Sequence, residues 1–329
     1  MREALEALHK AADHGEAVVL ARIVEIEGFS TRPGDEIVAV DSAGSVHGTV
    51  LAGLAEDQLR AAATSLLAGK TGVPAAVTID VGDRDAVSAG LACGGRAHML
   101  LHHSSVVPAE LWKLLEARAP AALLSRVDAE GTIVVDREGN TFGATVSGWP
   151  VETARASLEA GRSGSQRVES EQGEVLVESF VPDPRVVVVG TGELIDSIRS
   201  QAALLGWETK WTNSVDEIGD LLGWAGITGA IVVLSHDPHV DTPALAAALA
   251  ARAGYVGALG SRSTQSKRAD RLLAQGVPQR DIDRVHRPVG LDLGGRRAPE
   301  VALAIIAEIL ASHHGRDARP LSSRTGPIH

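Results

Sequence analysis

The alternation of apolar and polar positions divides the chain into two unlike halves. In the first, residues 2–14 set Leu5 and Leu8 on one face of an amphipathic helix that Gly15 stops. Residues 17–26 and 36–40 read as strands on either side of the turn Thr31-Arg32-Pro33-Gly34, and residues 45–50 return as a hairpin strand after Asp41-Ser42-Ala43-Gly44. A helix over 55–68, a strand over 75–81 and a strand over 97–102, fed by the loop Leu91-Ala92-Cys93-Gly94-Gly95-Arg96, extend this α+β pattern. A further hairpin pairs 121–127 with 132–136 around Asp128-Ala129-Glu130-Gly131. A helix over 151–160 leads into Arg162-Ser163-Gly164-Ser165-Gln166, polar enough to be a flexible loop, and 173–181 is a strand.

Pro182-Asp183-Pro184 breaks all regular structure, which places a domain boundary between 1–181 and 182–329. Beyond it, strands over 185–189, 208–212, 230–234 and 255–259 alternate with helices over 194–205, 243–253, 263–275 and 301–313. The predicted fold class is therefore α/β, an N-terminal α+β domain followed by a Rossmann-like parallel-sheet domain. Crossovers in such sheets are right-handed, so ligands gather at the carboxyl ends of the strands. The terminal helix is apolar over 301–310 apart from Glu308; it is either a core helix or a subunit contact, and a homodimer is the expected assembly.

Composition narrows the chemistry. Only 3% of residues are aromatic, so Ala, Val, Leu and Gly must do the packing, as in Val-rich buried strands covered by Ala-rich helices. The formal net charge of −11 is opposite in sign to what non-specific nucleic-acid binding needs, so no nucleic-acid partner is expected. Cys93 is the single cysteine, which excludes an internal disulfide framework and a Cys-based zinc site within one chain and fits a reducing compartment. No run reaches 18 apolar residues and the start lacks the apolar core of a signal peptide; the expectation is a cytoplasmic protein with no membrane partner.

The strongest local signal is Val186-Val187-Val188-Val189-Gly190-Thr191-Gly192, a buried strand entering a glycine turn ahead of a helix whose amino end can hold a phosphate. It departs from the dinucleotide fingerprint. Ile195 stands at the third glycine position, and Trp211-Thr212-Asn213 supplies no acidic residue for a ribose hydroxyl. A tight turn without nucleotide and an NAD(P)-dependent oxidoreductase both stay open. Ser235-His236-Asp237-Pro238-His239-Val240-Asp241 puts polar groups on a loop at the expected ligand edge. There His236 is either a capping, hydrogen-bonded histidine or a functional one, and both histidines with Asp237 and Asp241 could hold a metal. Gly260-Ser261-Arg262 presents backbone N–H groups, a hydroxyl and a guanidinium near a helix start, a set suited to a phosphate. In the first domain Cys93, beside Gly94, Gly95 and Arg96, is either a buried small apolar residue or a thiolate able to ligate a soft metal or carry sulfur. Arg32 is either a solvated turn residue or a ligand contact.

Together these runs resemble one family. Gly28 to Gly34 is similar to a Gly-Ser-Xaa-Pro-Arg-Xaa-Xaa-Gly opening, Gly48 to Glu56 to a Gly-rich segment ending in Glu, and Cys93-Gly94-Gly95-Arg96 to a Cys-Gly-Gly loop. Gly190-Thr191-Gly192, Ser235-His236-Asp237 through Asp241, Tyr255 to Arg262, Arg287 to Gly294 and Ala307-Glu308-Ile309 extend the likeness to the XdhC/CoxI family, accessory proteins of xanthine dehydrogenase and related molybdenum hydroxylases. The resemblance implies a chaperone rather than the hydroxylase. Such a protein binds the molybdenum cofactor (molybdopterin), protects it during sulfuration and delivers it to a xanthine dehydrogenase or CO dehydrogenase-type apoenzyme, with a cysteine desulfurase as a further partner. It implies no catalytic residue, Cys93 as the metal ligand, and cofactor contacts from Arg32, Glu56, the Cys93 to Arg96 loop and the three second-domain loops. Two positions depart from the family pattern. Leu54 stands where a second cysteine is expected, and Glu193 replaces a histidine after Gly192, where a like charge opposes anion binding by about 1 kcal/mol. A scaffold whose second domain serves only as a dimerisation surface is a third reading.

Overall fold

The computed structural model describes residues 16–29, 37–69, 73–143, 147–161, 163–323 and 325, preceded by Ala4, Ala7, Leu8, Lys10, Ala11 and His14. Those six positions are helical and Leu8 is buried. Leu5, Gly15 and residues 30–36, Arg32 among them, lie outside the described residues. The chain divides into two compact units, Met1–Val181 and Pro182–His329.

The first unit contains two antiparallel five-stranded sheets. In one, β1 (Val19–Gly28), β2 (Ile37–Val40), β3 (Val46–His47), β4 (Ala75–Val81) and β5 (Gly95–His103) lie in the order β3-β2-β1-β5-β4. Helix α1 (Glu56–Gly69) covers one face, packing Leu59, Ala63 and Leu66 with Val19, Ala21, Val38 and Met99. Short helices α2 (Asp83–Ser88) and α3 (Glu110–Glu116) follow β4 and β5. In the other sheet β6 (Ala121–Arg126), β7 (Thr132–Asp136), β8 (Thr141–Gly143), β9 (Gly164–Ser170) and β10 (Gly173–Phe180) lie in the order β8-β7-β6-β10-β9. Helix α4 (Val151–Glu159) packs Ala154 and Leu158 against Val175 and Val177. Side chains alternate along a strand, so Leu20, Ile37 and Ala39 leave the first sheet on the face opposite α1 and join Leu123, Val134 and Phe180 of the second, with Leu111 of α3, in a shared cluster.

That interior also encloses charge. The Arg22 guanidinium lies 3.0 Å from the Glu178 carboxylate and 2.9 Å from His102 Nδ1, and all three residues are buried. Burial, then the Arg22 charge, push the His102 pKa well below its usual value, so the ring is neutral. A guanidinium only donates, so Nδ1 accepts and the ring proton sits on Nε2.

The second unit is a five-stranded parallel sheet. β11 (Val186–Val189), β12 (Thr209–Thr212), β13 (Ala230–Val233), β14 (Tyr255–Ala258) and β15 (Val285–His286) lie in the order β12-β11-β13-β14-β15. Helices α5 (Glu193–Leu204), α6 (Ile218–Ala225), α7 (Pro238–Ala250), α8 (Arg262–Ala274), α9 (Gln279–Ile282) and α10 (Ala298–His313) connect or follow the strands. Val187 and Val189 enter one core with α6 and α7, while Val186 and Val188 enter the other with α5 and α10. This is why the run is apolar without alternation: a parallel strand is covered on both faces. The terminal helix α10 is a core helix, contributing Ala302, Ile305, Ile306 and Ile309.

Three local expectations are corrected. Residues 164–166 belong to β9, not to a loop: they form an exposed polar edge strand held by its ladder with β10, which hydropathy does not register. Helix α7 begins at Pro238 rather than 243, because Asp237 caps it and proline at the first position costs no hydrogen bond. The hairpin return shortens to the two residues of β3, ahead of a tight 3₁₀ turn at Leu51–Gly53. Helices α2, α3, α6 and α9 and strands β8 and β15 were not foreseen.

Truncating Glu178 to alanine strands a buried guanidinium. The expected cost is about 3–5 kcal/mol, read as a lowered urea midpoint; a loss below about 1 kcal/mol would contradict the role given to the pair.

Candidate functional site

The order of the second sheet fixes where a ligand can enter. The connection from β11 goes to β12 on one side and the chain then returns to β13 on the other, so the loops leaving β11 and β13 diverge and leave a crevice at their carboxyl ends. A cavity of about 640 Å³ lies there. Thr191 and Gly192 of the first loop line it with Ser235, His236 and Asp237 of the second, joined by Glu193, Leu194, Asn213, Leu234, Val240, Leu259, Arg296, Ala298 and Val301. Gly192 adopts φ +109, a conformation open to glycine, and a Cβ there would meet nothing within 4 Å. As N-cap of α5 it offers no side-chain oxygen, which leaves first-turn N–H groups uncapped. Glu193 stands in that first turn, where its carboxylate already answers the helix dipole. In the second loop the Ser235 hydroxyl accepts from the Asp237 backbone N–H at 3.1 Å, and Asp237 Oδ1 accepts from that of His239 at 2.9 Å.

The remaining expected second-unit residues do not line the cavity. Gly190 ends β11 and lets the β13 loop approach, since a Cβ on it would sit 3.0 Å from Leu234 Cβ. Ser261 caps α8, accepting from the Thr264 N–H; Gly260 and Arg262 flank it. Asp241 lies within α7 rather than on the loop and is fully buried. Its Oδ2 pairs with Arg268 Nε at 2.7 Å, and its Oδ1 accepts from Arg271 Nη2 at 3.1 Å and from the Thr242 hydroxyl at 2.8 Å. Arg268 continues to the carbonyl oxygens of Ser235 and Leu259. One buried side chain thereby ties the exits of β13 and β14 to α7 and α8, and Asp241 serves the site by holding its rim. Among the described residues no group of three or more His, Cys, Asp or Glu side chains gathers as a metal centre.

Sequence reasoning missed Arg296, Ala298 and Val301, which arrive from the far end of the unit. Their route is set by two anchors. Glu308 of α10 accepts from Tyr255 Oη at 2.6 Å, the Gly290 N–H at 2.7 Å and the His286 ring at 3.1 Å, pinning the segment after β15. Burial opposes the Glu308 charge, yet these donors outweigh it and hold the carboxyl below its ordinary range; burial, then Glu308, push the Tyr255 hydroxyl up. Further on, Glu300 accepts from the N–H groups of Arg296 and Arg297 at 2.9 and 3.2 Å and pairs with the Arg297 side chain at 2.7 Å. The chain passes so close that a Cβ on Gly295 would lie 2.5 Å from Glu300 Cβ. The legible signal was Gly294-Gly295 ahead of two arginines and a helix start.

In the first unit Cys93 is half-buried in the turn entering β5. The two glycines beside it answer to packing: a Cβ on Gly94 would lie 2.3 Å from the Val81 carbonyl oxygen, and one on Gly95 2.5 Å from that of Glu27. Asp83 accepts from the Gly94 N–H at 2.9 Å. Arg96 is already engaged by Asp80 at 2.7 Å and Glu27 at 3.7 Å. Glu56 opens α1 and is half-buried.

This geometry defines a class of protein, a Rossmann-type unit with a cleft at its topological switch, preceded by an α+β unit. The chain belongs to the XdhC and CoxI family: residues 11–80 match that family, and residues 186–309 match the XdhC Rossmann domain. It is similar to the molybdenum cofactor insertion chaperone PaoD of Escherichia coli (strain K12), 26% identical over 318 residues that cover 94% of this chain and 86% of PaoD. The uncharacterized protein YqeB of the same organism is 27% identical over 244 residues, 61% of this chain and 45% of YqeB. A crystal structure described as a xanthine dehydrogenase from Bacillus halodurans matches with a TM-score of 0.58, over 98% of each chain at 21% identity, a likeness of fold. No helix of the described residues is long and apolar enough to cross a membrane.

Replacing Arg268 with methionine leaves Asp241 buried with Arg271 as its one charged partner among the described residues; a loss of about 3 kcal/mol or more is expected in urea unfolding, and an unchanged midpoint would contradict the anchoring role. Glu308 carries a pH signature. With its folded pKa lowered, its contribution is present above the unfolded value and is lost as pH falls through the folded one. Glu308→Gln is expected to destabilise by about 1–2 kcal/mol at pH 7 and by nothing measurable in acid, where the wild-type carboxyl is itself protonated; parallel melting curves at the two pH values read the difference.

Proposed function

We propose that this chain is an accessory chaperone that holds the molybdenum cofactor and passes it to a molybdenum hydroxylase apoenzyme of the xanthine dehydrogenase or CO dehydrogenase type. The observation that carries the reading is the cleft at the switch point of the parallel sheet, in a chain similar along 94% of its length to a cofactor-insertion chaperone. A phosphate-bearing cofactor fits the residues present: Gly192 leaves room at the uncapped amino end of α5, and Arg296 supplies positive charge. Glu193 opposes an anion there, which moderates affinity and suits a carrier that must release its cargo.

Cys93 is the chain's one thiol and our candidate ligand to the metal. When bound, the cofactor supplies the redox-active molybdenum; the chain's own residues bind, orient and shield it. No residue in the cleft is assigned a catalytic role. Asn213 lines the cavity where an acidic residue would bind a ribose in an NAD-dependent enzyme, so the oxidoreductase reading gains no support. We further propose a cytoplasmic homodimer that works alongside a cysteine desulfurase.

Anaerobic purification followed by mass spectrometry and metal analysis tests the reading. The wild-type protein is expected to retain molybdenum and a pterin, and Cys93→Ser to retain several-fold less. Wild-type protein that carries neither, with a reconstituted cofactor failing to bind, would remove the proposal.

A further inference from the structure

We infer that Arg296 is the residue that selects a phosphate-bearing group in the second-unit cleft; the inference rests on the carrier reading and names the part of that site which discriminates. Three observations lead to it. Arg296 lines the cavity, and its side chain makes no ion pair or hydrogen bond among the described residues. The other arginines near the carboxyl edge are committed or misplaced. Arg268 and Arg271 are held by Asp241, Arg297 is held by Glu300, and Arg262 lies outside the cavity lining.

The third observation is the opposing charge. Glu193 and Asp237 both line the cavity, so an anion entering it meets two carboxylates. With Arg296 removed, the lining would keep both carboxylates and no guanidinium, so the attraction for a phosphate would fall. With it present, a planar fork of N–H donors can take two phosphate oxygens at once, a geometry that an ammonium or a neutral donor does not offer. The segment is built to deliver this one side chain: Glu300 fixes the backbone N–H groups of Arg296 and Arg297, and Gly295 permits the close passage that brings them to the cleft.

Binding of inorganic pyrophosphate to the cofactor-free full-length protein, followed by calorimetry at two salt concentrations, tests this. Wild type is expected to bind, more weakly at the higher salt. Arg296→Gln should weaken binding about tenfold or more, Arg296→Lys should recover part of the loss, and Arg262→Gln should stay within about twofold of wild type. Wild type without affinity for pyrophosphate, Arg296→Gln binding within about twofold of wild type, or Arg262→Gln bearing the loss would each overturn the inference. Retention of molybdenum by the purified protein is a separate readout, so the carrier reading and this assignment fail independently.

Discussion

The buried contact between Arg268 and Asp241 is the constraint on which the second unit's working edge depends. A guanidinium taken out of water is tolerated only when its donors are used, and here they reach a carboxylate and the carbonyl oxygens of Ser235 and Leu259. Those oxygens lie just beyond two different strands, so the contact couples loops that a parallel sheet would otherwise leave independent. The rim of the cleft is thus set before any ligand arrives, which lowers the ordering cost of binding. The same commitment takes Arg268 out of consideration as a ligand contact and leaves that part to a residue from another segment.

Much of the architecture was legible because the strands carry it in their side chains. Val186 to Val189 read as a buried strand from their unbroken apolar run, and the alternation of strands and helices then located the ligand edge. What hydropathy could not register was structure held by backbone or by capping. Strand β9 is polar along most of its length and exists through its ladder with β10. The start of α7 is written in Asp237-Pro238, a capping signal rather than an apolar period, and overlooking it left Asp241 on a loop. Arg296 was invisible for another reason: with Ala298 and Val301 it is far in sequence from the loops after β11 and β13, and only the return of the chain between β15 and the start of α10 makes them neighbours.

The two units differ in how they handle charge. In the first, Arg22 and Glu178 lie between sheets with a neutral His102, an arrangement that fixes how the layers register. In the second, charge is concentrated at the exits of strands, part of it locked within the protein and part turned to the cavity. The locked part keeps the frame rigid, and the cavity balances one guanidinium, that of Arg296, against the carboxylates of Glu193 and Asp237.

The glycine pair after Cys93 has an evolutionary corollary. Because Gly94 and Gly95 are required by the approach of neighbouring carbonyl oxygens, selection on folding alone would preserve them after the thiol had lost its use. A homologue that keeps Gly-Gly but has drifted at the preceding position has conserved a packing solution, and its capacity to ligate metal has to be judged from the sulfur alone.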